Sequence, residues 1–233
     1  STFEKHFWQQ VQLFEAAGSI SFANDRGEFI IAGIGQDGNI KIGEVNRTNP
    51  GNFKIYATDD RGERTNIEVD ADNFQSSQYL AARKAGKATW SKLYSYREIP
   101  HIAISALRPL YDERGEFYGV LSTDMIVSLI SNFLRELEIG ESGQIFVMER
   151  SGLLVANSTP QQPFVIDERN RAQTIAAVES KDVLVRKTAS YIQEYFGSLA
   201  NIKGDEQLEF TLDGEVYFLQ ISSWQDEFDL DWL

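Results

Sequence analysis

Between residues 74 and 124 the sequence concentrates aromatic rings, Phe74, Tyr79, Trp90, Tyr94, Tyr96, Tyr111 and Tyr118, and ends the stretch on Asp124. Tyrosine and tryptophan join a broad apolar face to a hydrogen-bonding edge, which suits a small polar guest in a concave site. Asp124 follows the strand-like run Val120-Leu121-Ser122-Thr123 and precedes a helical pattern. A carboxylate held at a strand end among rings can pair a ligand ammonium, with cation–π attraction added. The competing reading makes Asp124 a helix N-cap and the rings core, and the pattern alone leaves both open.

Other chemistries find little support. There are no cysteines, which removes disulfides, thiolate metal sites and thiol nucleophiles together. His6 and His101 are the two histidines, too few for a histidine-rich metal site. His101, in Ile99-Pro100-His101-Ile102, lacks a neighbouring group to orient it as a base and reads as structural. Gly33-Ile34-Gly35-Gln36-Asp37-Gly38 matches a dinucleotide-binding spacing, but Asn39-Ile40-Lys41-Ile42-Gly43 follows it with strand-like alternation where a helix is needed. It therefore reads as a hairpin turn. Asp59-Asp60 and Asp70-Ala71-Asp72-Asn73 lack the ligand schedule of a calcium loop and read as solvated turns. Asn46-Arg47-Thr48 and Asn157-Ser158-Thr159 fit the glycosylation sequon, a pattern of small weight. No catalytic residue, no metal and no cofactor is expected.

Composition narrows the partners. The chain has 233 residues, 42% of them hydrophobic, and 35 acids against 22 bases leave a charge of −13. Such a chain folds, and it has no general electrostatic hold on phosphate, so nucleic acid is not an expected partner. No apolar run reaches the ~18 residues of a membrane span. The start at Ser1, with Met125 and Met148 the only methionines, reads as a piece of a longer protein.

The elements that position these residues alternate between two periods. Phe3, Phe7, Val11, Phe14 and Ala17 form a helical stripe over residues 3–17, closed by Gly18. Five times an acidic or amide residue then opens a turn ending in glycine before a strand-like run: Asn24 to Gly27, Asp59 to Gly62, Asp112 to Gly115, Glu149 to Gly152, and Asp213-Gly214. Such turns make hairpins and hence antiparallel sheets. Helices are expected over 73–86, over 124–138 with Met125, Leu129, Ile130, Phe133, Leu134 and Leu137 on one face, and over 169–179 and 181–200. Strands are expected over 207–223. The expected fold is α+β: a helix over 1–17, one module over 18–138, and a second over 139–233, hinged near Leu137–Ser142.

A resemblance sharpens this reading. The run from Leu107-Arg108-Pro109 through Asp112-Glu113-Arg114-Gly115 and Gly119-Val120 to Asp124 resembles the double Cache (dCache) sensor domains, in wording nearest to receptors of cyanobacterial type. Ile139 to Met148, Ser151 to Ala156 and the ending Trp224 to Leu233 fit in the same order. The resemblance implies two PAS-like modules forming the extracytoplasmic part of a receptor. Transmembrane helices flank such a region, and it generally works as a homodimer. The outputs are histidine kinases, nucleotide or diguanylate cyclases, or chemotaxis receptors, and the fragment itself is not an enzyme. The membrane-distal module binds a small polar ligand and the proximal one relays. Carried over residue by residue, Tyr79, Tyr94 and Asp124 match the amino-acid-binding pattern, with Trp90, Tyr96 and His101 completing the expected ligand set. Ser76, Gln78 and Tyr96 stand where that pattern has Arg, Trp and Asp. The missing Arg would clamp a ligand carboxylate, so three alternatives to an amino acid stay open, an amine, a neutral polar molecule or no ligand at all, with His101, Arg97 or Lys92 as substitute clamps. Two other readings stay open: a dimerisation or interaction module using the helices over 3–17 and 167–202, and a metal-assisted hydrolase using the acids.

Overall fold

The computed structural model describes residues 2–14, 17–35, 37–95, 100–137, 139 and 142–233. The chain forms two compact units, residues 1–93 with 103–126, and residues 94–102 with 127–233. The first half runs α1 (Thr2–Leu13), β1 (Ser19–Asn24), β2 (Phe29–Ile34), β3 (Ile40–Val45), β4 (Phe53–Thr58), β5 (Arg64–Ala71), α2 (Ser77–Ala85), β6 (Thr89–Trp90), β7 (Tyr94–Ser95), β8 (Ile102–Tyr111) and β9 (Phe117–Ile126). The fold is α+β, and the paired strands run antiparallel.

The first unit is built on one sheet, ordered β5-β4-β3-β2-β1-β9-β8-β6. Its hairpins follow from the turn chemistry. Asn24, Asp59 and Asp112 each accept, on one side-chain oxygen, the backbone N–H groups two and four residues on. Gly27, Gly62 and Gly115 close those turns at φ near 75–78°. The glycine-rich run after β2 is a hairpin into β3, with Gly38 at φ 77°, so no helix is there to hold a pyrophosphate; Gln36 lies outside the described residues.

Helix α1 buries Phe7 and Val11 against Phe22 and Ala32. Each such side chain contributes about 1.5–3 kcal/mol. Its polar side is tied down by Arg64, which reaches Glu4 and, at 2.6 Å, Glu44, with its guanidinium 4.4 Å over the Tyr56 ring. The helix ends at Leu13, sooner than the 3–17 stripe predicts. Helix α2 starts at Ser77, where Ser76 accepts the Tyr79 N–H, and stops at Gly86 in the left-handed region, as the sequence predicts for its end.

The second unit runs α3 (Val127–Glu136), β10 (Phe146–Met148), β11 (Leu154–Asn157), β12 (Phe164–Ile166), β13 (Ala172–Thr174), α4 (Val183–Phe196), β14 (Glu206–Leu212), β15 (Glu215–Ile221), β16 (Trp224–Gln225) and β17 (Asp231–Trp232). Short 3-10 turns stand at Ala177–Glu179 and Leu199–Asn201. The core gathers Met148, Leu154, Val185, Ala189, Ile192, Ile202 and Ile221. Helix α4 fits the expected 181–200 pattern, capped by Asp182 and ended at Gly197.

Two expectations fail here. Residues 169–179 form the second strand of a hairpin and a 3-10 turn, not a helix. Asp167 accepts the N–H groups of Arg169 and Arg171, and Asn170 takes φ 58°, which makes the turn without glycine. Helix α3 begins at Val127 rather than 124 because β9 stays paired through Ile126 with Ala103. Its buried face is Val127, Ser131 and Leu134, and Phe133 is exposed.

Arg150 is the knot of this unit. Its Nε donates to Asp231 at 2.7 Å, Nη1 to the carbonyls of Leu199 and Ile202, and Nη2 to Ser223. One planar group thereby joins the β10–β11 turn, the 199–201 turn and the C-terminal strands. Arg150→Ala leaves two carbonyls and a carboxylate without their donor and should cost about 3 kcal/mol in urea unfolding. Arg150→Lys should recover a minor part, since a point charge cannot serve three directions.

Candidate functional site

Asp124 is neither a helix cap nor at a strand end. It lies inside β9, and its Cα pairs with Ser19 of β1 on one side and Ser105 of β8 on the other. Side chains at directly opposed positions share a face. The same row continues to Gly33 of β2, whose Cα pairs with Ser19. A Cβ at residue 33 would lie 2.8 Å from the Ser19 Cβ, so glycine is required there. On the β8 side, Ser91 follows β6 and its hydroxyl accepts the Ser105 N–H at 2.9 Å. The next row carries Ser21 and Ser122, whose hydroxyls meet at 2.6 Å. The centre of this face is therefore a strip of glycine and hydroxyls around one carboxylate, where neighbouring positions carry Val120 and Leu107.

The strip is buried. Asp124 is 4% exposed, Ser19 3% and Ser105 0%. The Ser19 hydroxyl donates to Asp124 Oδ2 at 2.5 Å. A buried carboxylate is costly unless hydrogen bonds and opposite charge meet it. The side chains around it are small, and their hydroxyls can both donate and accept. Chemically the strip suits a compact cationic group with polar edges.

The other sequence-predicted residues take separate places. Trp90 belongs to the row Trp90, Ala106, Thr123 and Ile20, which faces α1, so it lies on the side of the sheet opposite the Asp124 carboxylate. Tyr79 shares the Asp124 face but packs edge-on against Phe117 at 5.8 Å, over Leu107 and Val120. Four residues of strand separate Val120 from Asp124, roughly 13 Å. Tyr94 (in β7) and His101 belong to the second unit and are half-buried. Tyr96 and Arg97 lie outside the described residues, and Lys92 is exposed. Of the remaining rings, Phe74 stacks on Phe53 at 4.6 Å, Tyr118 lies on Phe22, and the Tyr111 hydroxyl donates to Gly86 O.

The Asn52 amide donates to both Asp70 and Asp72, and no cluster of three or more potential metal ligands occurs among the described residues. Asn157, in the second sequon, is fully buried, with its Oδ1 accepting from Thr159, so the folded protein does not present it for glycosylation. The serines at 19, 21, 105 and 122 escaped the sequence reading. The available signal was a hydroxyl at every second position in the otherwise apolar run Ser19-Ile20-Ser21-Phe22, and the polar run Ser122-Thr123-Asp124 after Val120-Leu121.

Burial pushes the His101 imidazole below the usual value of 6.5. As pH falls, the unfolded chain protonates first, so the folded state loses stability from the ordinary histidine range downward. His101→Asn removes this loss. In melting curves between about pH 7.5 and 5.5 the wild type should fall further than the variant, all other groups being common to both.

Comparison with known proteins reveals the fold. No family model matches the chain, and no curated protein matches it. Among solved structures, the ligand-binding domain of the Pseudomonas aeruginosa PAO1 amino-acid chemoreceptor PctB, in complex with L-Arg, aligns with TM-score 0.53 and 15% identity over 99% of this chain and 75% of that one. The corresponding domain of PctC from the same organism, in complex with GABA, aligns with TM-score 0.52 and 14% identity over 98% and 76%. A methyl-accepting chemotaxis protein X gives 0.53 and 13% over 97% and 76%. The chain has the fold of these receptor ligand-binding domains. Among the described residues no helix is long and apolar enough to cross a membrane.

Proposed function

We propose that this chain is the extracytoplasmic sensing region of a transmembrane signalling receptor, and that its first unit binds a small polar molecule with its ammonium group on Asp124. The observation that carries this reading is the buried row Gly33, Ser19, Asp124 and Ser105 across the middle of the sheet. A sheet centre built for stability alone would be apolar. Two domains of the same fold hold L-Arg and GABA, both of which carry cationic amino groups. The resemblance also offers Tyr79, Trp90, Tyr94, Tyr96 and His101; Tyr79 packs on Phe117 away from the carboxylate and Trp90 lies on the opposite face of the sheet, so the proposed contact within the first unit is Asp124 with its neighbouring hydroxyls. Transmembrane helices flanking the region, a kinase or cyclase output and the absence of catalysis in the fragment belong to the same reading.

The ligand acts by population shift. It favours whichever state binds it more tightly, and only that difference in affinity can drive a signal. A thermal-shift screen of simple amines, amino acids and polyols tests the site. Ammonium compounds should raise the melting temperature of the wild type, by up to about 2.7 kcal/mol of stability at a hundredfold excess over Kd. Asp124→Asn and Asp124→Ala should lose that response. Equal stabilisation of all three proteins by the same compound removes Asp124 as the ligand contact.

A second reading concerns assembly. Phe3 and Leu13 on α1 are 50% and 71% exposed. Apolar residues in such positions fit a helix that packs against a second copy. Sedimentation should show wild-type dimers that Leu13→Glu weakens by at least tenfold; an unchanged monomer in both proteins refutes it.

A further inference from the structure

The α1 face of the same sheet holds a groove of about 460 Å³, lined from α1 by His6, Phe7 and Gln10 and from the sheet by Ile20, Trp90, Ala106 and Thr123, with Phe14, Ala17, Leu121, Asp124 and Met125 completing it. Every one of these residues lies in the first unit. We propose that this groove is a second ligand site, separate from the Asp124 strip, and that it takes a flat, neutral, mainly apolar aromatic molecule.

The sequence makes the trough. Strand register aligns Trp90, Ala106, Thr123 and Ile20 across four strands. The two central members are small and the two outer ones large, so the row dips in its middle. Elsewhere under α1 the sheet is filled: Phe7, Val11, Phe22 and Ala32 pack to below a tenth exposed. The dip is thus local to β8 and β9, where a single larger aliphatic at 106 or 123 would close it. Its size lies in the ~300–1,000 Å³ range of small-molecule pockets.

The lining selects the guest. Trp90, Phe7 and Phe14 put three aromatic rings in the lining, which favours a planar π system. His6, Gln10 and Phe14 recur at four-residue intervals and bring an imidazole and an amide to the rim. The Gln10 amide and the Thr123 hydroxyl make no hydrogen bond to another described residue, so both can meet a polar edge. Asp124 also borders the groove, but its carboxylate is bonded to Ser19 on the opposite face. Among the lining residues no lysine or arginine occurs, so an anionic guest gains nothing there.

The probe is N-phenylnaphthylamine, neutral and flat, whose emission rises on leaving water. With the whole 233-residue chain it should bind saturably at one equivalent. Ala106→Leu and Thr123→Leu each fill the trough and should weaken binding at least tenfold, while circular dichroism stays that of the wild type. An excess of an ammonium compound that raises the melting temperature of the wild type should leave probe affinity within twofold, which separates this site from the amine site. Phe218→Ser, at an exposed apolar position of the second unit, should also leave it unchanged. Should one filling variant not fold, the other decides. Absence of saturable binding, equal binding by the filled variants, or loss of binding in Phe218→Ser overturns the proposal. So does a protein concentration series in which dimers form and exclude the probe, since the groove is then an interface between copies.

Discussion

A carboxylate buried in the middle of an antiparallel sheet is the constraint around which the first unit is arranged. Asp124 occupies a position that β-structure normally gives to valine or isoleucine, and it is tolerated because its neighbours are equally unusual. Ser19 bonds it, Ser105 pairs with it across β8, and Gly33 lets β2 approach Ser19. None of these is a stabilising choice by itself. Together they make one polar strip inside an otherwise apolar layer.

The other face of the sheet shows what the same strands do without that constraint. There Ile20, Phe22, Ile30 and Ala32 alternate with the polar strip by the two-residue period and take up α1. One strand therefore serves two chemistries, and a shift of register by a single residue would exchange them. The turns opened by Asn24, Asp59 and Asp112 guard against that shift: each fixes its register with two side-chain bonds and a left-handed glycine.

How far the sequence foretold this depends on the range of the interaction. Turns are local, and the motif from Asn24, Asp59 and Asp112 to glycine was readable outright. The helix ends at Gly86 and Gly197 were legible for the same reason. Asp167 and Asp226 make the same turn with Asn170 and Asp229 in the left-handed position, and without glycine the first of these was mistaken for helix. Asp124 was legible as a polar residue beside apolar strands. Its partners were not, because Ser19 is 105 positions away and only strand pairing brings it there. Trp90 illustrates the same limit. Its nearness in sequence to the other rings suggests one cage, whereas parity on β6, fixed by pairing with Ala106, sends it to the opposite face.

The passage from β9 to α3 has a mechanical meaning. Strand ends at Ile126 and helix begins at Val127, with no loop between them. Helix α3 itself is a stiff rod of 10 residues. That rod is clamped within the second unit, where the Asn157 N–H donates to Ser131 and Arg135 donates to Thr159 O. Both bonds tie α3 to the segment 157–159, so the helix moves with the core of its own unit.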